Sequence, residues 1–381
     1  MMFSIICIGL AIVYVLLLLL YRAGWLLQQS FAPEQDRKYV TTISVVIAAR
    51  NEEANIEACL RSICQQDYPA SLFEVIVVDD FSTDRTAEIV AAMAAPHIKL
   101  LRLADHVPAG ERIRSYKKKA LATGIAHSSG ALIVTTDADC FAGRAWLSTI
   151  AAYYEQYKPE MIVAPVRFSN NFSLVQLFQS LDFMTMQGIT VATVRLSLGI
   201  MCNGANLAFT RLAYNHVGGY SGVDHLVSGD DYLLHMKIKQ QYPRGVRYLK
   251  SSSAIIDTLP QASWGQFLQQ RIRWASKTGK YKDRKTTGIL LLVYLFNCSL
   301  WGLFIYSWFQ YQYFELLLKI LIVKIIAELL FLYAVSDFFQ KKKELFLFPF
   351  LQPLHTAYIV VAGFLSRVGK FEWKQRSTDN K

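Results

Sequence analysis

Residues 2–20, MFSIICIGLAIVYVLLLLL, contain no charged side chain. A run of about this length is what an α-helix needs to cross an apolar bilayer core about 30 Å thick. A chain that opens this way must put the run in lipid or bury it among other apolar helices. A cleaved leader fits poorly, because no basic residue precedes the run and no small-x-small site clearly follows it. Three more apolar stretches lie near the other end, at residues 287–307, 314–335 and 345–365. The last contains Pro349 and Pro353, which interrupt a helix at its start. Four such stretches at the two ends predict membrane helices flanking a large polar middle.

Basic residues orient this arrangement. Arg22, Arg37 and Lys38 follow the first run, Lys277, Lys280, Lys282, Arg284 and Lys285 precede the second, and Lys341, Lys342 and Lys343 follow the third. All fall on one side if the middle is cytoplasmic, as expected of a protein of the bacterial inner membrane. The tail RVGKFEWKQR is basic too, and a full crossing by residues 345–365 would put it outside. That stretch is therefore read either as a span or as a re-entrant or interfacial segment. The net charge of +11 lies largely in these flanks, so anionic lipid headgroups account for it and nucleic acid is not the expected partner. The predicted organisation is an anchor over 1–22, a cytoplasmic domain over 40–285, membrane segments over 286–366 and a basic tail over 367–381. The six cysteines form no CxxC pair and have no histidine at metal-ligand spacing, which predicts free thiols and no structural zinc.

Between residues 41 and 166, apolar β-branched runs alternate with helix-like segments. TISVVIAA (42–49), FEVIVVDD (73–80), IKLLRL (98–103) and ALIVTTD (131–137) read as strands, with Ile56, Leu60 and Ile63 at helical spacing after the first. Continuous apolar strands separated by helices predict an α/β domain with a mostly parallel, Rossmann-like sheet covered on both faces. Ligands of such sheets sit beyond the carboxyl ends of the strands. Three strands end there in acidic chemistry: Arg50-Asn51-Glu52-Glu53, Asp79-Asp80 and Asp137-Ala138-Asp139. An acidic turn alone would be unremarkable, but three on one edge predict a site. Neither GxGxxG after the first strand nor GxxxxGK[ST] occurs. Paired carboxylates suit Mg²⁺ or Mn²⁺, hard cations that bridge to substrate phosphates. The expected ligand is a nucleoside diphosphate.

These segments resemble the membrane-bound branch of the family 2 glycosyltransferases. The resemblance rests on ISVVIAARNEEANI (43–56), VIVVDDFSTDRT (75–86), TDADC (136–140), NGANLAF (203–209), SGDDYLL (228–234) and QQRIRW (269–274), in family order over residues 42–276. It implies a GT-A fold, a nucleotide-sugar donor, by default a UDP-sugar, and inversion at the anomeric carbon. Carried over, Glu52 and Asp79 or Asp80 contact the nucleoside, Asp137 binds nucleotide or metal, and Asp139 binds metal. The family's Gly-Lys before the helix entering the DxD strand is SYKKKAL here (115–121), without the glycine. Lys117 is the expected diphosphate contact, with Lys118 and Lys119 as alternatives. Transfer from a sugar diphosphate needs one base and no general acid, because a metal can stabilise the leaving diphosphate. The family match makes Asp231 that base, oriented by Asp230. Gln270 and Arg273, one helical turn apart, are expected to point together into the site, and Trp274 to stack on a sugar or acceptor. Membrane segments this few favour transfer to a lipid-linked acceptor over polysaccharide extrusion. A processive synthase and a non-enzymatic nucleotide sensor are the alternatives.

Overall fold

The computed structural model describes residues 2–34, 37–93, 95–108, 110, 113–169, 173–223, 226, 229–276, 283–368, 371–373 and 376–378. Lys277, Lys280 and Lys282, Ser228 and part of the basic tail lie outside these residues. Contacts divide the chain into two units, one of residues 29–169 and 201–259, the other of residues 1–28, 170–200 and 260–381.

The chain begins with helix α1 (Met2–Leu27). Cys7, Ala11, Tyr14, Leu18, Tyr21 and Trp25 recur every three or four residues and are buried together on one face. Ile5, Ile12, Leu16 and Leu19 point outward and are exposed, so the opposite face is as apolar as the buried one.

The α/β unit follows with β1 (Ile43–Ala49), α2 (Ile56–Cys64), β2 (Phe73–Asp79), α3 (Thr86–Ala92) and β3 (Ile98–Arg102). It continues with α4 (Tyr116–Ala126), β4 (Leu132–Asp137), β5 (Cys140–Ala142), α5 (Trp146–Tyr157), β6 (Met161–Val163) and β7 (Val166–Phe168). After α6 (Leu174–Leu196), which belongs to the other unit, come β8 (Leu207–Thr210), α7 (Arg211–His216), α8 (Asp230–Gln241), β9 (Val246–Tyr248) and β10 (Ile256–Thr258). Seven strands form one sheet in the order β3-β2-β1-β4-β8-β6-β9. Pairing is parallel from β3 to β4, and β8 runs antiparallel to both its neighbours. β5, β10 and β7 form a second, three-stranded sheet.

Register decides where the acidic ends fall. Ala49 of β1 is opposite Asp79 of β2, and Ala48 is opposite Asp137 of β4, so the three carboxyl ends finish level. Helix α4 lies tight on this sheet through Gly124, where a Cβ would meet Val46 Cγ1 at 2.6 Å. Lys117, two turns earlier on the same face, is thereby carried to the carboxyl edge.

The second unit gathers α1 and α6 with α9 (Trp264–Ala275), α10 (Arg284–Ser307), α11 (Tyr311–Phe338) and α12 (Gln352–Val368). Among the described residues, α1 and α10 are long and apolar enough to cross a membrane. The proline-bearing stretch forms two 3₁₀ turns followed by α12, whose 17 residues give a length of about 25 Å. The charges of α11 are answered internally. Lys324 Nζ is 2.7 Å from Glu328 Oε1, and the Tyr14 hydroxyl and the Gln352 amide both donate to Glu328.

Candidate active site

The carboxyl edge of the large sheet brings together Lys117, Asp137, Asp230 and Asp231. Lys117 Nζ lies 2.7 Å from Asp137 Oδ1 and 3.6 Å from Asp230 Oδ2. Burial opposes the charge of Lys117, but the carboxylates of Asp137, Asp230 and Asp231 outweigh it and raise the ammonium pKa. It is a permanent cation set between the end of β4 and the start of α8. The adjacent lysine serves the fold instead, since Lys118 is buried and donates to the carbonyls of Val223 and Leu226.

Asp230 and Asp231 open α8 behind Gly229, whose φ of +86° is a left-handed geometry that favours glycine. Asp231 is held at both oxygens. Gly204 N–H donates to Oδ2 at 3.3 Å and Tyr232 N–H to Oδ1 at 2.8 Å. Gly204 is itself fixed by Thr135 of β4, whose hydroxyl donates to its carbonyl at 3.0 Å. Gly204 lies directly against both carboxylates, since a Cβ there would be in ordinary van der Waals contact, 3.4 Å from Asp230 Oδ2 and 3.5 Å from Asp231 Cβ. Gly204 is a site residue that sequence reasoning did not single out, although NGANLAF contains it.

The Asp137–Asp139 turn is tied down by two thiols. Cys59 Sγ donates to the Asp137 carbonyl at 3.7 Å and Cys140 Sγ to Asp139 Oδ1 at 3.8 Å. Burial pushes both thiols well up, with the Asp139 carboxylate adding to it, so both stay protonated donors. None of the six cysteines is in a disulfide.

The nucleoside candidates lie at the ends of β1 and β2. Asp79 Oδ1 accepts from Ser82 N–H at 3.3 Å, and Asp80 is buried with its carbonyl accepting from Arg50 Nη1 at 2.9 Å. Glu52 accepts from the Asn55 amide at 3.0 Å. Asn51 and Phe81 both adopt positive φ, at 50° and 54°. Their loops are laced by Asn51 N–H donating to Ser82 Oγ and Thr83 N–H donating to Asn51 Oδ1.

Gln270, Arg273 and Trp274 lie in the other unit, on α9. The side-chain oxygen Oε1 of Gln270 accepts from its neighbour Arg271 Nη1 at 3.0 Å, and the Trp274 ring lies 4.3 Å from the Arg271 guanidinium. Arg273 is partly exposed and accepts through its carbonyl from Ser276.

Residues 44–200 match the family described as Glycosyl transferase family 2. Glycosyltransferase AglE of Haloferax volcanii is 28% identical over 233 residues, which are 61% of this chain and 71% of that protein. A beta-monoglucosyldiacylglycerol synthase of a Nostoc species is 30% identical over 118 residues, 30% of this chain but only 24% of that relative. Among solved structures, the mannosyltransferase PcManGT of Pyrobaculum calidifontis, in complex with GDP-Man and Mn²⁺, superposes with a TM-score of 0.59 at 20% identity. That likeness covers 98% of this chain and 99% of that one, and at this identity it speaks for the fold. With the sheet order and the level strand ends, these findings show a GT-A fold in which residues 44–200 are similar to the family 2 glycosyltransferases.

Proposed function

We propose that the protein is an inverting glycosyltransferase that moves a sugar from a nucleoside diphosphate donor to a lipid or lipid-linked acceptor at the membrane. The observation that carries this reading is the cluster at the carboxyl edge: a fixed cation, Lys117, between the DxD strand and a helix that opens with two carboxylates. In it, Asp231 accepts the proton of the attacking hydroxyl as the new glycosidic bond forms and the sugar–phosphate bond breaks. The two N–H donors on Asp231 aim the carboxylate and leave its remaining lone pairs for that proton. An acceptor phosphate would need no such deprotonation.

Asp137 and Asp139 would hold Mg²⁺ or Mn²⁺. The donor set fits, because such ions are bound through one or two carboxylates plus substrate phosphates. When bound, the ion supplies charge stabilisation for the departing diphosphate. Lys117, already beside Asp137, gives the diphosphate a second cation, and Glu52, Asp79 and Asp80 receive the nucleoside. UDP is the expected carrier by family resemblance; the GDP-Man complex of the structural relative makes GDP the competitor. Gln270, Arg273 and Trp274 serve the acceptor side. The open apolar face of α1 and the apolar helix α10 favour an integral membrane protein. Its catalytic unit faces the cytoplasm in a bacterial inner membrane.

The test is a panel of UDP- and GDP-sugars with Mn²⁺ or Mg²⁺, offered to the purified protein in detergent with membrane lipids as acceptors. Metal-dependent label in an organic-extractable product supports the reading. A panel with neither transfer nor nucleotide release would overturn it.

A further inference from the structure

Arg271, an unassigned position of the QQRIRW segment, lies among the three residues the motif picks out. Its side chain is 5% exposed, although arginine is seldom so buried without a partner. Nε donates to Asp182 Oδ2 at 2.9 Å and Nη2 lies 2.6 Å from the same oxygen. Asp182, on α6, is 4% exposed and accepts through its other oxygen from the Tyr358 hydroxyl of α12. The guanidinium plane is packed between rings, 4.7 Å from Phe267 and 4.3 Å from Trp274. Its remaining edge donates to Gln270 Oε1 at 3.0 Å.

We infer that Arg271 is the positioning residue of this segment. One guanidinium, locked by Asp182, sets the rotamer of the Gln270 amide and the plane of the Trp274 indole at the same time. The chemistry suits arginine alone. A lysine could keep the ion pair, but it has no planar fork to reach Gln270 while stacking on Trp274. This inference rests on the proposed reading of Gln270 and Trp274 as acceptor-side residues.

The test uses the full-length protein in detergent and the variants R271K, D182N and D182L/R271M. The double variant removes both charges together, which in buried pairs often leaves stability unchanged, so it separates positioning from folding. Trp274 is isolated as the difference between each protein's fluorescence and that of the same protein carrying W274F. The double variant strands the Tyr358 hydroxyl and should melt a few degrees below the wild type, yet remain folded and show Trp274 quenched by acrylamide at least twofold more readily. Donor turnover should fall tenfold or more in kcat while the affinity for UDP with Mn²⁺ stays unchanged. R271K should behave in the same way, which decides the matter if the double variant does not fold. Trp274 quenching and kcat both within twofold of wild type in a folded variant would overturn the inference. A wild-type protein with no turnover at all would count against the glycosyltransferase reading instead, and the Trp274 measurement would then decide the positioning claim alone.

Discussion

Replacing Asp231 by Asn separates chemistry from folding, and the geometry gives a magnitude for each. The carboxylate accepts two backbone N–H groups, one per oxygen, from Gly204 and Tyr232. An amide has one acceptor oxygen, so the substituted side chain can keep one bond and turns an N–H toward the other donor. The lost bond costs about 1 kcal/mol, or about 2–4 °C in melting temperature for a domain of this size. Proton acceptance, by contrast, is abolished, and general-base groups contribute about 10²–10⁴-fold. Asp231→Asn should therefore melt within a few degrees of wild type and bind UDP with Mn²⁺ normally, while transfer falls by at least about 10²-fold. Calorimetry, a thermal melt and a radiolabelled transfer assay read the three quantities on one preparation. Transfer above roughly a tenth of wild type would refute the base assignment, since a general base typically contributes about 10²–10⁴-fold. A joint loss of binding and stability would show that Asp231 holds the site together and does not act in the step.

Other perturbations test the neighbouring groups. Asp139→Asn removes a charged oxygen next to Cys140, and affinity for the metal–nucleotide complex should fall at least about tenfold by calorimetry, the lower end of what losing a mere outer-shell group costs. Lys117→Met leaves Asp137 and Asp230 without the cation they share; UDP affinity should fall about 10–100-fold, the worth of a charge-assisted bond. His235 is fully buried, and desolvation lowers its pKa to about 3. The unfolded chain, with an ordinary imidazole near 6.5, then binds more protons below that pH, so stability is lost as pH falls. That loss should reach about 2 kcal/mol between pH 7 and 5, and His235→Leu should flatten the melting profile over that window. Finally, labelled sugar should enter an organic-extractable glycolipid; label confined to a water-soluble polymer would favour the processive alternative.

The strands carrying the site were legible because each is a continuous apolar run ending in acid. β1, β2 and β4 begin and end within a residue of the segments read from sequence. The lysine register was not legible, because three adjacent lysines are equivalent until the first residue of α4 is known. Only the close approach at Gly124 fixes which of them faces the sheet edge. α6 escaped attention for another reason. Its buried face includes Gln179, Asp182, Gln187 and Thr190, so it has no apolar run to find. The same polarity hid Arg271, whose partner is 89 positions away in the chain. β8 was missed as a sheet member because its antiparallel pairing with β4 joins residues far apart in sequence.

The level ends of β1, β2 and β4 have a practical consequence. Because strand register rather than a mobile loop assembles the acidic edge, a chain whose sheet has melted holds no copy of the site. Any nucleotide that binds must then draw the folding equilibrium of the α/β unit toward the native side, by about 2.7 kcal/mol at a hundred times its dissociation constant. A thermal-shift screen of nucleoside diphosphates, with no acceptor and no catalysis, should therefore single out the base the protein prefers before its product is known.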